Sequence, residues 1–366
     1  MIPSINLKAQ YVTIQNEIKA AIDQVLESQQ FILGSRVKEL EEKIAAYCRV
    51  SDAVGVASGT DALLLSYMAA GIAPNDEVIT TPYTFFSTAG SISRLGAKPV
   101  FVDIDPQTYN INPKLIEAKI TKRTKAIVAV DLFGQTANMD EIVSIAKGHK
   151  LFVVEDAAQA FGASYQGKPA GSIGDLGTLS FFPTKNLGGF GDGGMILTNN
   201  KDFAEKIRIL RVHGSRTKYY HEILGIGSRL DAIQAAVLLV KMAYIDRWNK
   251  KRQANAGAYN ALLKGLPLKI PFVQESNVPV YHQYVVRTKA RDPLREFLAK
   301  KDIQTEIHYP LPLHLQECYN TLGYKKGSLP EAEKASQETL ALPIYPELKE
   351  SELEEVAGQI KEFFTV

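Results

Sequence analysis

A lysine in a glycine-rich turn has the surroundings that covalent chemistry requires. Lys185 follows an apolar run that ends at Phe181 and precedes five glycines between positions 188 and 194. A lysine amine attacks a carbonyl group when its pKa is depressed and its position is fixed. A lone lysine is usually a solvated surface charge, but aromatic residues, a proline and glycines are unusual neighbours for such a charge. The pattern favours a lysine that forms a Schiff base.

A buried carboxylate is predicted at the end of another strand. Asp156 directly follows the apolar run at 151–155, where a carboxylate is costly unless it has a cationic or hydrogen-bonding partner. A protonated pyridine nitrogen is such a partner, and pyridoxal enzymes use an aspartate to keep that nitrogen charged. A helix-capping aspartate explains this segment equally well, so both interpretations stay open at this point.

Two more strand ends carry groups that suit a phosphate and a flat ring. Gly59 and Thr60 stand between a predicted strand and a helix, where free N–H groups and the helix dipole attract anions. Aromatic residues at 81–89 could stack on a ring. Taken singly, a plain helix cap and a core aromatic are the simpler explanations. Together, the four segments supply what pyridoxal phosphate needs: a phosphate site, a partner for its nitrogen, a stacking ring and an amine.

The elements that must position these residues follow an α/β pattern. Short apolar runs alternate with helical patterns, and several runs are apolar on both faces, as in strands of a covered parallel sheet. The predicted strands are 53–57, 77–81, 99–104, 126–132, 151–155, 178–181 and 195–198, and the predicted crossover helices are 61–71, 86–95, 113–120 and 139–147. Ligands of such sheets bind at the carboxyl ends of the strands, so the four segments are expected to meet at one edge.

The length of 366 residues suits one large domain and one smaller domain. We predict a large cofactor-binding domain at 1–249, which includes an N-terminal arm, and a small α+β domain at 250–366. A single long helix at 231–250 is expected to link them. The small domain is predicted to contain helix 252–263, strand 281–288 and helices 293–301 and 350–364.

The composition indicates a globular protein without a nucleic-acid or membrane partner. The chain has 42 basic and 40 acidic residues, a net charge of +2, and no block of like charge. Its most apolar run, 235–243, is too short to span a bilayer and contains Lys241. Two cysteines and the lack of a signal-peptide pattern at the N-terminus favour a reducing cytoplasm.

Two other cofactor classes fit the sequence less well. Gly189, Gly191 and Gly194 match a dinucleotide-binding spacing, but they lead into a predicted strand where that motif must open a helix. The six histidines are scattered, which disfavours a metal site. His308 and His314 flank a proline-rich turn and are predicted to lie at the surface or to contact substrate.

Several stretches resemble a known family, the DegT/StrS family of pyridoxal-phosphate-dependent nucleotide-sugar aminotransferases. The resemblance covers almost the whole chain. Its segments are 5–8, 31–34, 59–63, 155–159, 180–188, 228–236 and 308–310. It implies the aspartate-aminotransferase fold, fold type I, with a mainly parallel seven-stranded sheet in the large domain and a smaller α+β C-terminal domain.

The resemblance also implies roles in binding pyridoxal 5'-phosphate. Lys185 is the implied catalytic residue, which holds the cofactor covalently and shuttles a proton. Asp156 pairs with the ring nitrogen, Gln159 lies near the ring hydroxyl, and Phe85 stacks on the ring. The implied phosphate ligands are Gly59, Thr60 and Ser180. Related sugar dehydratases carry histidine at the lysine position, so Lys185 favours transamination.

For the substrate, the resemblance implies a homodimer with shared sites. Arg229 reaches the partner's site, and His308 and Tyr309 border the sugar pocket. Many relatives have asparagine two residues before this arginine, where it helps to bind the phosphate across the dimer. This chain has Gly227 there, so either water or another residue replaces that contact, or the phosphate is held mainly by its own subunit.

The implied reaction transfers an amino group from L-glutamate to a nucleotide-linked 3-keto sugar. The likeness is greatest to enzymes that act on UDP-2-acetamido-2-deoxy-3-oxo-glucuronate in the synthesis of surface polysaccharide or lipopolysaccharide. A dTDP-linked 3-keto-6-deoxyhexose is the alternative acceptor. A non-catalytic sensor that retains the cofactor pocket is a further alternative, against which the intact Lys185 argues.

Overall fold

A central sheet with helices on both faces organises the larger part of the chain. The computed structural model describes residues 1–365. Within these residues the helices are α1 (Leu7–Ser28), α2 (Gly34–Cys48), α3 (Gly59–Ala69), α4 (Ser87–Arg94), α5 (Met139–His149), α6 (Lys201–Leu210), α7 (Ala232–Met242), α8 (Ile245–Leu262), α9 (Arg291–Lys300), α10 (Pro330–Glu338) and α11 (Glu350–Thr365). The strands are β1 (Asp52–Val56), β2 (Glu77–Thr80), β3 (Lys98–Phe101), β4 (Thr124–Val130), β5 (Phe152–Asp156), β6 (Ser164–Tyr165), β7 (Lys168–Pro169), β8 (Leu176–Ser180), β9 (Gly194–Thr198), β10 (Ser215–Thr217), β11 (Tyr220–His221), β12 (Asn277–Val278), β13 (Tyr284–Arg287) and β14 (Thr339–Leu342).

The central sheet has seven strands in the order β1-β9-β8-β5-β4-β2-β3. Strands β8, β5, β4, β2 and β3 run parallel, whereas β9 is antiparallel to both of its neighbours. Each strand lies within a few residues of a predicted one, so the mainly parallel seven-stranded sheet is confirmed. The carboxyl ends of the five parallel strands meet at one edge, as the sequence predicted.

Helices bury both faces of this sheet. Helices α1, α2, α5 and α7 supply the apolar side chains on one face, and α3, α4 and α6 supply those on the other. Because successive strand residues point to opposite faces, Val154 of β5 packs towards α3 while Val153 packs towards α5. Asp156 therefore shares the face of Val154 and lies on the side of α4.

Two predicted helices differ from the structure. The expected helix at 231–250 is two helices, because the chain turns at Ala243 and Tyr244 between α7 and α8. No proline or glycine marks this turn; it lets α7 pack on the sheet while α8 crosses to a second apolar cluster.

The expected crossover helix at 113–120 is a pair of short 3-10 turns. Few of its side chains are buried, so packing does not stabilise a longer helix.

The C-terminal elements surround a separate apolar cluster. Strands β13 and β14 pair antiparallel, and α8, α9 and α11 pack against them. Ile2 joins this cluster from the N-terminus. The predicted boundary at residues 249 and 250 falls inside α8, where Trp248 packs with the sheet helices and Tyr259 packs with the C-terminal cluster. The division into two domains stays a prediction, because one helix carries the chain across that boundary.

The predicted surface or substrate-contact role of His314 is wrong. Its side chain is buried, and its Nε2 lies 3.0 Å from Oε1 of Glu333. The same carboxylate accepts hydrogen bonds from the backbone N–H groups of Gly327 and Leu329. His314 thus fixes a loop in the C-terminal part of the protein.

Among the helices of residues 1–365, none combines the length and apolar character that a membrane span requires.

Candidate active site

Lys185 lies in a tight turn between β8 and β9. Its backbone N–H donates to the Phe182 carbonyl at 2.8 Å, and the Gly189 N–H donates to the Phe181 carbonyl at 2.7 Å. Burial lowers the pKa of the Lys185 amine to about 8, while the nearby Asp156 carboxylate acts in the opposite direction. The neutral fraction of this amine near neutral pH is therefore larger than that of a solvated lysine, which favours a nucleophilic role. The interpretation of Lys185 as a solvated surface charge does not fit these surroundings.

Asp156 ends β5 as a buried carboxylate. Its Oδ2 accepts a hydrogen bond from Thr88 Oγ1 of α4 at 2.8 Å, and its Oδ1 accepts one from the Ala158 N–H at 3.3 Å. Burial raises the pKa of Asp156, whereas Thr88, Ala158 and the charge of Lys185 lower it. Among the groups of residues 1–365 that lower this pKa, Lys185 is the one that carries a positive charge. A buried carboxylate with so little compensation suits a protonated ring nitrogen.

The start of α3 meets the end of β8. Ser58 caps the helix by accepting from the Asp61 N–H at 3.1 Å. A Cβ atom on Gly59 would stand 2.7 Å from the Ser180 Cβ, so only glycine allows the helix start to approach this serine. The first N–H groups of α3 consequently lie next to the Ser180 hydroxyl. Helix N-termini of this kind bind phosphate.

Ser87 was not predicted and adds a hydroxyl beside Thr60. Thr60 Oγ1 lies 2.7 Å from Ser87 Oγ. Ser87 is the first residue of α4, so a second helix start faces the same region as the start of α3. Its position near a predicted strand–helix junction could have indicated a phosphate ligand. A serine at a helix start is, however, more simply explained as a helix cap.

Gln159, Tyr309 and Phe85 lie together beside Asp156. Gln159 Oε1 accepts from the Phe133 N–H at 2.9 Å, and its Nε2 donates to the Tyr309 hydroxyl at 3.1 Å. The Tyr309 and Phe85 ring centroids are 6.3 Å apart. Phe85 is 57% exposed, so it is not a core aromatic and can offer a face to a ligand.

His308 contributes a neutral imidazole near the lysine. Burial and the charge of Lys185 lower the pKa of His308 to about 4. Tyr83 fixes this segment, because its hydroxyl donates to the His308 carbonyl at 2.7 Å. His308 can therefore accept or donate a hydrogen bond without adding a second positive charge beside Lys185.

Arg229 lies in the segment that follows Ser228, whose Oγ accepts a hydrogen bond from the Ala57 N–H at 3.1 Å. It is half-buried just before α7, and within residues 1–365 no hydrogen bond joins it to the other predicted site residues. The space beside Gly227 is filled by an imidazole, since a Cβ there would lie 2.8 Å from Cε1 of His213. A larger residue at position 227 would require this ring to move.

A polar chain next to Lys185 was missed by the sequence analysis. Asn186 Nδ2 donates to Asn249 Oδ1 at 2.8 Å and to the Val280 carbonyl at 3.2 Å. Its Oδ1 is therefore the group that meets His282 Nδ1, at 3.2 Å. Burial, with the charge of Lys185 next in importance, lowers the pKa of His282 well below its usual range. No local pattern marks these residues, because they come from distant parts of the chain.

A comparison with known families shows which family the chain belongs to. The model of the DegT/DnrJ/EryC1/StrS aminotransferase family matches residues 12–361. The chain belongs to this family. The predicted family membership is confirmed.

Three relatives are similar along nearly their whole length. A pleiotropic regulatory protein of Geobacillus stearothermophilus is 52% identical, covering 99% of this chain and 98% of the relative. The UDP-2-acetamido-2-deoxy-3-oxo-D-glucuronate aminotransferase of Pseudomonas aeruginosa is 43% identical, covering 95% and 96%. The dTDP-3-amino-3,4,6-trideoxy-alpha-D-glucose transaminase of Streptomyces venezuelae is 42% identical, covering 99% and 96%.

Solved structures agree with this assignment. DesV of S. venezuelae, in complex with a ketimine intermediate, has a TM-score of 0.98 at 42% identity and covers 100% of this chain and 99% of its own. NtdA of Bacillus subtilis, with the bound cofactor PMP, has a TM-score of 0.89 at 32% identity and covers 96% and 82%. The predicted fold type I, the aminotransferase activity and the pyridoxal phosphate cofactor are confirmed.

Proposed function

We propose that this sugar aminotransferase transfers an amino group from L-glutamate to UDP-2-acetamido-2-deoxy-3-oxo-glucuronate, in the synthesis of surface polysaccharide or lipopolysaccharide. The 43% identical relative from P. aeruginosa, whose name states this acceptor, supports the proposal. The dTDP-sugar relative at 42% identity supports the alternative acceptor, a dTDP-linked 3-keto-6-deoxyhexose. Both names refer to position 3 of the sugar, which supports a 3-keto acceptor in either case.

The observation that carries the catalytic assignment is a partly buried amine of depressed pKa whose charge interacts with a buried carboxylate. When bound, pyridoxal phosphate supplies an electrophilic carbon and an electron-withdrawing ring. Lys185 would hold the cofactor covalently and, once substrate has freed its amine, would carry a proton between the cofactor carbon and the substrate carbon. Asp156 keeps the ring nitrogen protonated, and its Thr88 hydrogen bond holds the carboxylate in place.

The remaining predicted residues divide between cofactor and sugar. Gln159 orients the Tyr309 hydroxyl and lies beside the ring hydroxyl, and Phe85 stacks on the ring. His308 and Tyr309 border the sugar pocket, where a neutral imidazole can hydrogen-bond to the substrate without adding a second positive charge beside Lys185. The proposed phosphate ligands are Gly59, Thr60 and Ser180, with Ser87 added by the structure.

We also propose a homodimer in which Arg229 reaches the partner's site. The hairpin of β10 and β11 precedes this arginine in the sequence and carries the exposed Tyr219 and Tyr220. Leu224, just beyond the hairpin, is 93% exposed. Apolar side chains that project this far usually contact another protein surface, and a second copy of this chain is the partner we infer.

A panel of 3-keto sugars tests the acceptor. UDP-2-acetamido-2-deoxy-3-oxo-glucuronate and a dTDP-3-keto-6-deoxyhexose are supplied separately with ¹⁵N-glutamate, and the labelled amino sugar is quantified by mass spectrometry. We expect the UDP substrate to have the higher kcat/KM by at least roughly tenfold, about 1.4 kcal/mol of discrimination. A preference for the dTDP sugar would establish the alternative. Failure of every amino acid to react with the holoenzyme would favour the sensor.

The close approach of Gly59 to Ser180 predicts the effect of adding one methyl group. Gly59→Ala should weaken pyridoxal phosphate binding by about tenfold, since a displaced helix start loses up to about 2 kcal/mol of anion stabilisation and about 1.4 kcal/mol is a tenfold change. The measurement is an absorbance titration of the apo protein with the cofactor. Gly148→Ala is the matched control, because a Cβ at Gly148 in α5 meets open space. Equal affinities of the two variants would remove Gly59 from the phosphate site.

A further inference from the structure

The turn that carries Lys185 has its two ends in contact with each other, and side chains of α7 hydrogen-bond to its backbone. A Cβ on Gly188 would lie 2.3 Å from the Pro183 carbonyl oxygen, so the two ends of the turn are in direct contact. The Gly189 N–H closes it further by donating to the Phe181 carbonyl at 2.7 Å. The position of Lys185 therefore depends on whatever fixes the segment 183–190.

Two side chains of α7 make that attachment. Gln234 Oε1 accepts a hydrogen bond from the Phe190 N–H at 2.7 Å. Lys241 Nζ donates to the Gly188 carbonyl at 2.6 Å and lies 4.8 Å from the centroid of the Phe190 ring. The two residues are seven positions apart, which is about two helical turns, so they project from the same face of α7.

A buried lysine such as Lys241 destabilises the folded state more than an apolar residue would in a purely structural role. The residue is 3% exposed, and burying an ammonium group costs free energy that a methionine of similar length would avoid. Its compensation comes from the Gly188 carbonyl, the Phe190 ring and the attraction of the Glu347 carboxylate. A charged donor is stronger and more directional than apolar packing, and its acceptor lies three residues after Lys185.

We propose that Lys241 is a positioning residue for Lys185. Together with Gln234 it fixes the turn so that the Lys185 amine stays beside Asp156. This inference rests on the proposed role of Lys185 as the amine that holds the cofactor. Neither side chain touches the reacting atoms, and both act through the backbone of the turn.

The test measures how fast apo protein captures pyridoxal phosphate at Lys185. Reduction with borohydride after timed mixing, followed by peptide mass spectrometry, gives this rate without any turnover. We expect Lys241→Met to slow capture by about tenfold, the order of effect of one charge-assisted hydrogen bond, and Lys241→Arg to restore part of the rate. The pH at which the bound cofactor changes its visible absorbance should also shift in Lys241→Met.

Lys206→Met is the matched control. Lys206 Nζ donates to the Ala69 carbonyl at 2.9 Å, which is the same bond type at the far end of α3, about 15 Å of helix away from Gly59. It should lower the thermal midpoint of the apo protein without slowing capture. If Lys241→Met behaves like this control, with a lower midpoint and a wild-type capture rate, Lys241 only stabilises packing and the proposal is overturned.

Gln234→Met provides the second variant, should Lys241→Met not fold. Gln234 is partly exposed, so its replacement leaves no buried charge behind, and it too should slow capture at Lys185. An unchanged rate in Gln234→Met would overturn the proposed attachment of the turn. If wild-type protein itself is not modified at Lys185, the proposed function fails, and that result is distinct from both outcomes above.

Discussion

Lys185→Ala should abolish transamination and the visible absorbance of the holoenzyme. We expect a loss of at least about 10³-fold in kcat, because proton transfer by a positioned side chain alone contributes about 10²–10⁴-fold and the covalent attachment is lost as well. The measurement combines the absorbance spectrum of the purified protein with the rate of amino transfer from ¹⁵N-glutamate. Lys185→Arg, which keeps the charge but has no lysine amine, should be equally inactive.

The control for this variant is Lys201→Ala, at an exposed position of α6, which should keep colour and activity. The pH dependence adds a sharper check. The wild-type apo protein should capture pyridoxal phosphate faster as pH rises and should level off above about 8, since burial lowers the pKa of Lys185 to about 8 from 10.5. A rate that keeps rising towards pH 10.5 would mean that this amine behaves as a surface lysine, which contradicts the proposed site.

Asp156→Asn should have the second largest effect. Asparagine keeps the shape of the side chain and can still bond Thr88, but it removes the negative charge that the ring nitrogen needs. A charge pair about 4 Å apart at an effective dielectric constant of about 20 is worth about 4 kcal/mol, which corresponds to a loss of about 10³-fold in kcat. The cofactor should still attach to Lys185, so the variant should remain coloured while turnover falls.

Asp103→Asn is the matched control for Asp156→Asn. Asp103 is another buried carboxylate beyond the end of a sheet strand, and it caps α10 by accepting from the Glu331 and Ala332 N–H groups, each at 2.9 Å. Its replacement should cost up to about 2 kcal/mol in the free energy of unfolding and leave the spectrum and kcat unchanged. If both variants lose stability while their spectra and kcat stay unchanged, Asp156 is a structural residue and its assignment to the ring nitrogen is wrong.

The sequence by itself located the seven sheet strands and the chemistry at their ends. Strand patterns and strand–helix junctions are local features, and a parallel sheet brings its carboxyl ends to one edge whatever the details of packing. Lys185, Asp156 and Gly59 could therefore be singled out before their contacts were known. The family resemblance added the roles of Gln159 and Tyr309, which the local pattern alone did not indicate.

Tertiary structure decided the features that depend on residues far apart in the chain. His282 reaches Asn186 across 96 positions and Lys241 reaches Gly188 across 53, and no spacing in the sequence records such contacts. The turn between α7 and α8 has no breaking residue, because it arises from the need of the two helices to pack on different clusters. His314 lies next to a proline-rich turn in the sequence, yet its partner Glu333 and the surrounding core determine its burial. Local patterns determine which residues can react, whereas long-range packing decides what holds them in place.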